Sequence, residues 1–148
     1  MPFPAPVGRA LFAALGLCAL AAGQPLPAAA QEMMAEVYIG KFTVYSVEGR
    51  AALADEAGAI LYTNENDRDL TPTCADACAR AWPPAAAIPA DTPFHDFQII
   101  ARPDGIRQWA YKGRPLYRST IDHGPGESKA IGTDGLWYVV RIQAHFMP

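Results

Sequence analysis

The chain has 148 residues, of which 51% are hydrophobic and 18% charged, and its formal net charge is −3. This length is enough for one compact domain with its own core. The weak acidic charge and the absence of any run of basic residues argue against a protein that binds nucleic acid.

The first 30 residues are typical of a secretory signal peptide. Arg9 precedes an apolar run of 13 residues, 10–22, which is shorter than the about 20 residues that span a bilayer. The small residues that end at Ala30 predict cleavage before Gln31. Cys18 lies inside the apolar run and not in a lipobox, so we expect no lipid anchor. An uncleaved membrane anchor is the alternative interpretation.

The mature chain, residues 31–148, is then expected in the periplasm or outside the cell, without a transmembrane span. Because Arg9 is the only charged residue that is removed, the formal charge changes from −3 to −4. An oxidising compartment of this kind favours disulfide formation.

Short apolar segments separated by turn residues predict a mainly β fold. The segment 36–47, EVYIGKFTVYSV, has the β-branched and aromatic residues that strands prefer. The segments 97–102 and 106–111 flank a turn at Pro103, Asp104 and Gly105. A last strand is predicted within 136–143.

One short helix is predicted in the segment TPTCADACARAWPP, residues 71–84. Thr73 stands where an N-cap residue would, and Asp76 follows it at the capping-box spacing. Pro83 and Pro84 would end the helix after about two turns. The helix therefore lies near Cys74–Trp82.

The sequence also repeats itself with a shift of 55 residues. Glycine, Leu-Tyr, aspartate and tryptophan stay in register, with 6 identities in the 25 positions from residue 58 to residue 82. Such a shift is typical of a duplicated supersecondary unit. It predicts two tandem β-rich repeats, around 52–84 and 107–140, in one compact domain at 52–148. The residues before it, 31–51, form an N-terminal strand segment.

Cys74 and Cys78 allow several kinds of site. A haem attachment needs C-x-x-C-H, and a thioredoxin-type pair also has two residues between its cysteines, whereas here there are three. A structural zinc site needs four ligands, and no paired ligand spacing is present among the three histidines. The prediction is a structural disulfide, with no metal and no cofactor; a redox-active pair and a metal or cofactor carrier stay open as alternatives.

These motifs together resemble a known family. The combination of C-x3-C-x3-WPP, W-x-YKG-x-PLY and a final G-x-W is similar to the bacterial secreted repeat of unknown function, also described as predicted lipoproteins with a Tyr-x-(Phe/Trp/Tyr)-x-x-Asp motif. The resemblance covers about residues 52–140. It implies export, tandem repeats and a β-rich fold, and it implies no established activity.

The family motif corresponds to Tyr62 with Asp67 and to Tyr117 with Asp122 in this chain. Its aromatic third position is lost, because the two copies have asparagine and serine there. The four side chains are candidate binding residues in two matched pockets. The alternative is that the tyrosines pack and the aspartates bond their own loops.

Three tryptophans, Trp82, Trp109 and Trp137, are expected in the core, where a tryptophan buries a large area. No arrangement of a nucleophile with a base, and no paired acids, can be recognised, so no catalytic residue is predicted. The sequence therefore favours a non-catalytic binding or interaction module with an envelope protein or a small ligand as its partner. A small envelope redox protein and a metal or cofactor carrier are the alternatives.

Overall fold

The computed structural model describes residues 40–143. The signal peptide at 1–30, the cleavage site before Gln31 and the start of the segment 31–51 lie outside these residues. The described part is mostly β, with one short helix, which confirms the predicted fold class.

Seven strands form three small antiparallel sheets. They are β1 (Thr43–Val47), β2 (Arg50–Ala54), β3 (Tyr62–Asn64), β4 (Phe97–Ala101), β5 (Arg107–Tyr111), β6 (Arg114–Pro115) and β7 (Trp137–Val139). The pairs are β1 with β2, β3 with β7, and β4 with β5, which also pairs with β6. The pairing of β3 with β7 joins strands that are far apart in the sequence.

Two hairpins supply the longest strands. Glu48 and Gly49 connect β1 and β2, and both have positive φ, as a two-residue hairpin turn with the right twist requires. The β4–β5 hairpin turns at Gly105, whose φ is +83°. The predicted turn at 103–105 is therefore present between the two predicted strands.

Residues 42–86, the N-terminal half, and residues 97–141, the C-terminal half, have matching hydrogen bonds. The β1–β2 register places Val44 opposite Leu53, and the β4–β5 register places Ile99 opposite Trp109. The β1 position shifts by 55 and the β2 position by 56, because the second hairpin has one extra residue in its turn. The predicted duplication stays a prediction, and this match supports it.

The matching also includes bonds between the halves. The amide of Leu53 donates to the carbonyl of Val140, and the amide of Trp109 donates to the carbonyl of Ala85. The amides of Val140 and Ala85 in turn donate to the carbonyls of Leu61 and Leu116, each at 2.9 Å. Each half thus inserts its C-terminal segment beside strands of the other.

Two buried clusters of apolar side chains form the core, and both draw on the two halves. In the first, the rings of Trp82 and Trp137 stack with centroids 4.0 Å apart. In the second, Phe42 stacks on Phe97 with centroids 4.4 Å apart, and Trp109 packs against them edge-on. All three tryptophans are buried. Since corresponding aromatic residues meet, the core lies where the halves face each other.

The helix α1 (Ala77–Ala81) is shorter than predicted, and its start differs. Asp76 is the N-cap residue, with φ of +50° and no capping hydrogen bond from its side chain. Thr73 does not cap the helix, because its hydroxyl donates to Asp67 at 2.8 Å. The predicted capping box is therefore wrong: a buried carboxylate takes the threonine hydroxyl instead.

Within the described residues, no helix has the length and apolar character needed to cross a membrane.

Candidate functional site

The two motif tyrosines meet at the centre of the molecule. Tyr62 begins β3, and Tyr117 follows β6. The amide of each donates to the carbonyl of the other at 2.9 Å, and both side chains are fully buried. The tyrosines therefore form a backbone bridge between the two halves.

The hydroxyl of Tyr62 donates to Oδ2 of Asp122 at 2.6 Å. The other oxygen of Asp122 accepts from the amide of Ala130 at 3.3 Å. Burial, together with the hydrogen bond to Asp122 and its charge, raises the pKa of Tyr62 well above its ordinary value. The tyrosine thus stays protonated at neutral pH.

Tyr117 lies beside Asp67 in the corresponding arrangement. One oxygen of Asp67 accepts from the amide and the hydroxyl of Thr73, at 2.7 and 2.8 Å. The other oxygen and the Tyr117 hydroxyl are both buried, and neither has a partner with good hydrogen-bond geometry within residues 40–143. Burial, and then the nearby charge of Asp67, raise the pKa of Tyr117. Each tyrosine is therefore adjacent to the aspartate of the other half.

The third motif positions, Asn64 and Ser119, are polar and buried. Oδ1 of Asn64 accepts from the amide of Asn66 at 2.8 Å, and Oγ of Ser119 accepts from the amide of Ile121 at 3.3 Å. Both side chains thus bond the backbone two residues later, which is a common turn geometry. They shape the loops that carry Asp67 and Asp122.

Cys74 and Cys78 form a disulfide at the start of α1, with Cα atoms 5.2 Å apart. Cys74 is buried in the cluster that contains Trp82, whereas Cys78 is half-buried. A buried guanidinium, that of Arg102, donates to the carbonyl of Cys74 at 2.9 Å and to Gln108 at 2.8 Å. The disulfide segment of one half is thereby fixed to a hairpin of the other.

In the described part of the chain, no three His, Cys, Asp or Glu side chains lie close enough together to hold a metal ion. A small depression of about 180 Å³ adjoins Asp122 and His123. It is smaller than the roughly 300 Å³ at which small-molecule sites begin.

A larger groove, of about 410 Å³, opens between the tip of the β1–β2 hairpin and the segment 131–141. Its walls include Ile131, Tyr138 and Val139, and three charged residues border it. These are Glu48, Arg50 and Arg141. We refer to this site as the hairpin groove.

Sequence reasoning missed the hairpin groove, because its residues form no motif and lie far apart in the chain. One signal was available. At positions that correspond between the halves, the groove has charged residues where the other half has Pro103, Ile106 and Ala86.

Comparison of the chain with curated proteins and with solved structures finds no match. A comparison with family models finds one described as a secreted repeat of unknown function, and its match ends at the last strand of the C-terminal half. Residues 98–141 match this secreted repeat family, which confirms the resemblance for that half of the chain.

Proposed function

We propose that this chain is an exported, non-catalytic binding module of the cell envelope, and that the hairpin groove holds its ligand. The groove carries the proposal. Its volume of about 410 Å³ falls in the usual range of small-molecule sites, and apolar walls with a few charged groups are typical of such sites.

The state of the motif side chains supports a role without catalysis. Tyr62 and Asp122 bond to each other, and the raised pKa of Tyr62 disfavours the loss of its proton at neutral pH. A general base or nucleophile needs a pKa near the working pH and access to a substrate. The fully buried tyrosines have neither property. We therefore propose that all four motif residues stabilise the fold.

The proposed export rests on the family description and on the disulfide. Disulfides form and persist in oxidising compartments outside the cytosol. N-terminal sequencing of the chain expressed in full in a bacterial host is the test. We expect a chain that begins at Gln31 and is recovered from the periplasm. A cytosolic chain that still begins at Met1 would contradict export.

The proposed binding role is tested by a thermal-shift screen of small molecules and envelope fragments. Val139→Trp places a large side chain in the groove, and Ile131→Trp does the same from another wall if the first variant folds poorly. Ligands of the groove should raise the Tm of the wild type and leave that of the folded groove variant unchanged. Hits that persist unchanged in both variants would place binding elsewhere and refute the groove.

A second candidate function, dithiol–disulfide exchange, has one observation in its favour. Cys78 is half-buried, so its sulfur is more accessible to an attacking thiolate than that of the buried Cys74. Equilibration of the protein with glutathione buffers tests this function. A reduction potential near those of periplasmic oxidoreductases would favour it, and a much lower potential would identify a structural disulfide.

A further inference from the structure

The hairpin groove differs in charge from the rest of the molecule. Its border has two arginines, Arg50 and Arg141, and one acid, Glu48, so that its formal charge is +1. The whole chain has a formal charge of −3. An isolated positive site on an acidic protein attracts anions locally.

The two arginines have different surroundings. The guanidinium of Arg141 donates to the carbonyl of Val47 at 2.7 Å and to the carboxylate of Glu48 at 3.1 Å. These bonds hold it against the hairpin and neutralise its charge. Arg50 is exposed, and among residues 40–143 its guanidinium has no hydrogen-bond or ion-pair partner. The free positive charge of the groove is therefore that of Arg50.

The other half of the molecule has no such charge at the matching place. The positions that correspond to Glu48 and Arg50 are Pro103 and Ile106, and that of Arg141 is Ala86. The arginine of that hairpin, Arg102, points inward and bonds the carbonyl of Cys74. Two similar hairpins thus use their arginines differently, and one of them leaves a guanidinium exposed at a groove.

We infer that the hairpin groove binds a small apolar molecule that carries one anionic group, such as a carboxylate or a sulfonate. The apolar body contacts Ile131 and Val139, and the anionic group pairs with Arg50. A guanidinium suits this role because it donates two parallel hydrogen bonds to such a group. This inference rests on the proposed binding function and specifies its ligand class.

Two fluorescent probes with nearly the same rings test the inference. 1-Anilinonaphthalene-8-sulfonate is an anion, and N-phenyl-1-naphthylamine is its neutral counterpart. We expect both to bind the folded protein, and Arg50→Gln to weaken the anionic probe by about fivefold to tenfold, as the loss of a partly exposed ion pair predicts. The neutral probe should change by less than about twofold. Added salt should weaken only the anionic probe.

Arg80→Gln is the matched control, because Arg80 is an exposed arginine on α1 in the other half. It should leave both affinities unchanged, whereas Val139→Trp should abolish both, with circular dichroism confirming that each variant is folded. If Arg50→Gln leaves the anionic probe unaffected while Val139→Trp still removes both, the ligand class is wrong and the binding function stands. If neither probe binds, or if neither groove-filling variant changes either probe, the ligand class and the groove itself are refuted together.

Discussion

At the residue scale, the family motif serves the fold. Tyr62 is fully buried, and its hydroxyl reaches across to Asp122 in a loop of the other half. Asp67 holds the segment around Thr73 and lies beside Tyr117. Because each tyrosine is adjacent to the aspartate of the other half, the spacing within one motif does not reveal the pairing.

The Tyr62–Asp122 bond should contribute measurably to stability. Tyr62→Phe removes a hydroxyl that donates to a carboxylate, and we expect the free energy of unfolding to fall by about 1 to 2 kcal/mol. Urea unfolding measures this change. Tyr138→Phe is the control, since Tyr138 is half exposed and its hydroxyl bonds only its own loop, at Gly135. Equal losses in the two variants would contradict the importance of the crossed bond.

Stability should also fall at alkaline pH. Burial and Asp122 raise the pKa of Tyr62, so the unfolded chain releases this proton near pH 10 while the folded chain retains it. The contribution of the tyrosine is complete below about pH 10 and decreases above it, by about 1.4 kcal/mol per pH unit. Unfolding free energies at about pH 9 and pH 11 should show a smaller loss in Tyr62→Phe than in the wild type. The same loss in both proteins would refute this account.

At the element scale, α1 is a single short turn of helix that the disulfide and Arg102 hold in place. Cys74 is buried beside Trp82, and the ring of Trp82 stacks on Trp137 of the other half. A helix of five residues is too short to be stable by itself. Its position therefore depends on these tertiary contacts.

Replacing both Cys74 and Cys78 by serine should lower the free energy of unfolding by about 2 kcal/mol, because the bridge closes a small loop in the unfolded chain. Thermal and urea unfolding check this value. Denatured wild-type protein should show no free thiol before reduction. Binding of ligands in the hairpin groove should be unchanged, since the groove is built by other residues. A free thiol in the wild type, or an unchanged stability, would contradict a structural role for the bridge.

The elements that sequence reasoning predicted well are those with local causes. Strands β1, β4, β5 and β7 follow from runs of β-branched and aromatic residues, and the turn at Gly105 follows from its residue types. The start of α1 was mispredicted, because the hydroxyl of Thr73 bonds a carboxylate six residues earlier. Local patterns do not include that competition.

At the scale of the whole molecule, the two halves are interleaved. The sequence indicated where the halves correspond, and we propose that the matching units extend over 42–86 and 97–141, beyond the copies first identified. It could not indicate that strands of one half pair with the other, because such contacts join residues far apart in the chain. The hairpin groove was missed for the same reason.

The groove is a consequence of this arrangement. The hairpin of the N-terminal half and the last strand of the C-terminal half provide its two sides. The proposed binding function therefore needs both halves in place, even though each half has its own hairpin. Any change that separates the halves should abolish binding along with folding.

The central claim is that the halves fold only together, through the crossed backbone bonds and the shared aromatic core. Circular dichroism of the fragments 40–92 and 93–143, separately and after mixing, tests it most directly. Each fragment alone should lack a cooperative melting transition, because its half of the core would be exposed. The mixture should regain β structure and a cooperative transition. A single fragment that melts cooperatively as a monomer would contradict the account.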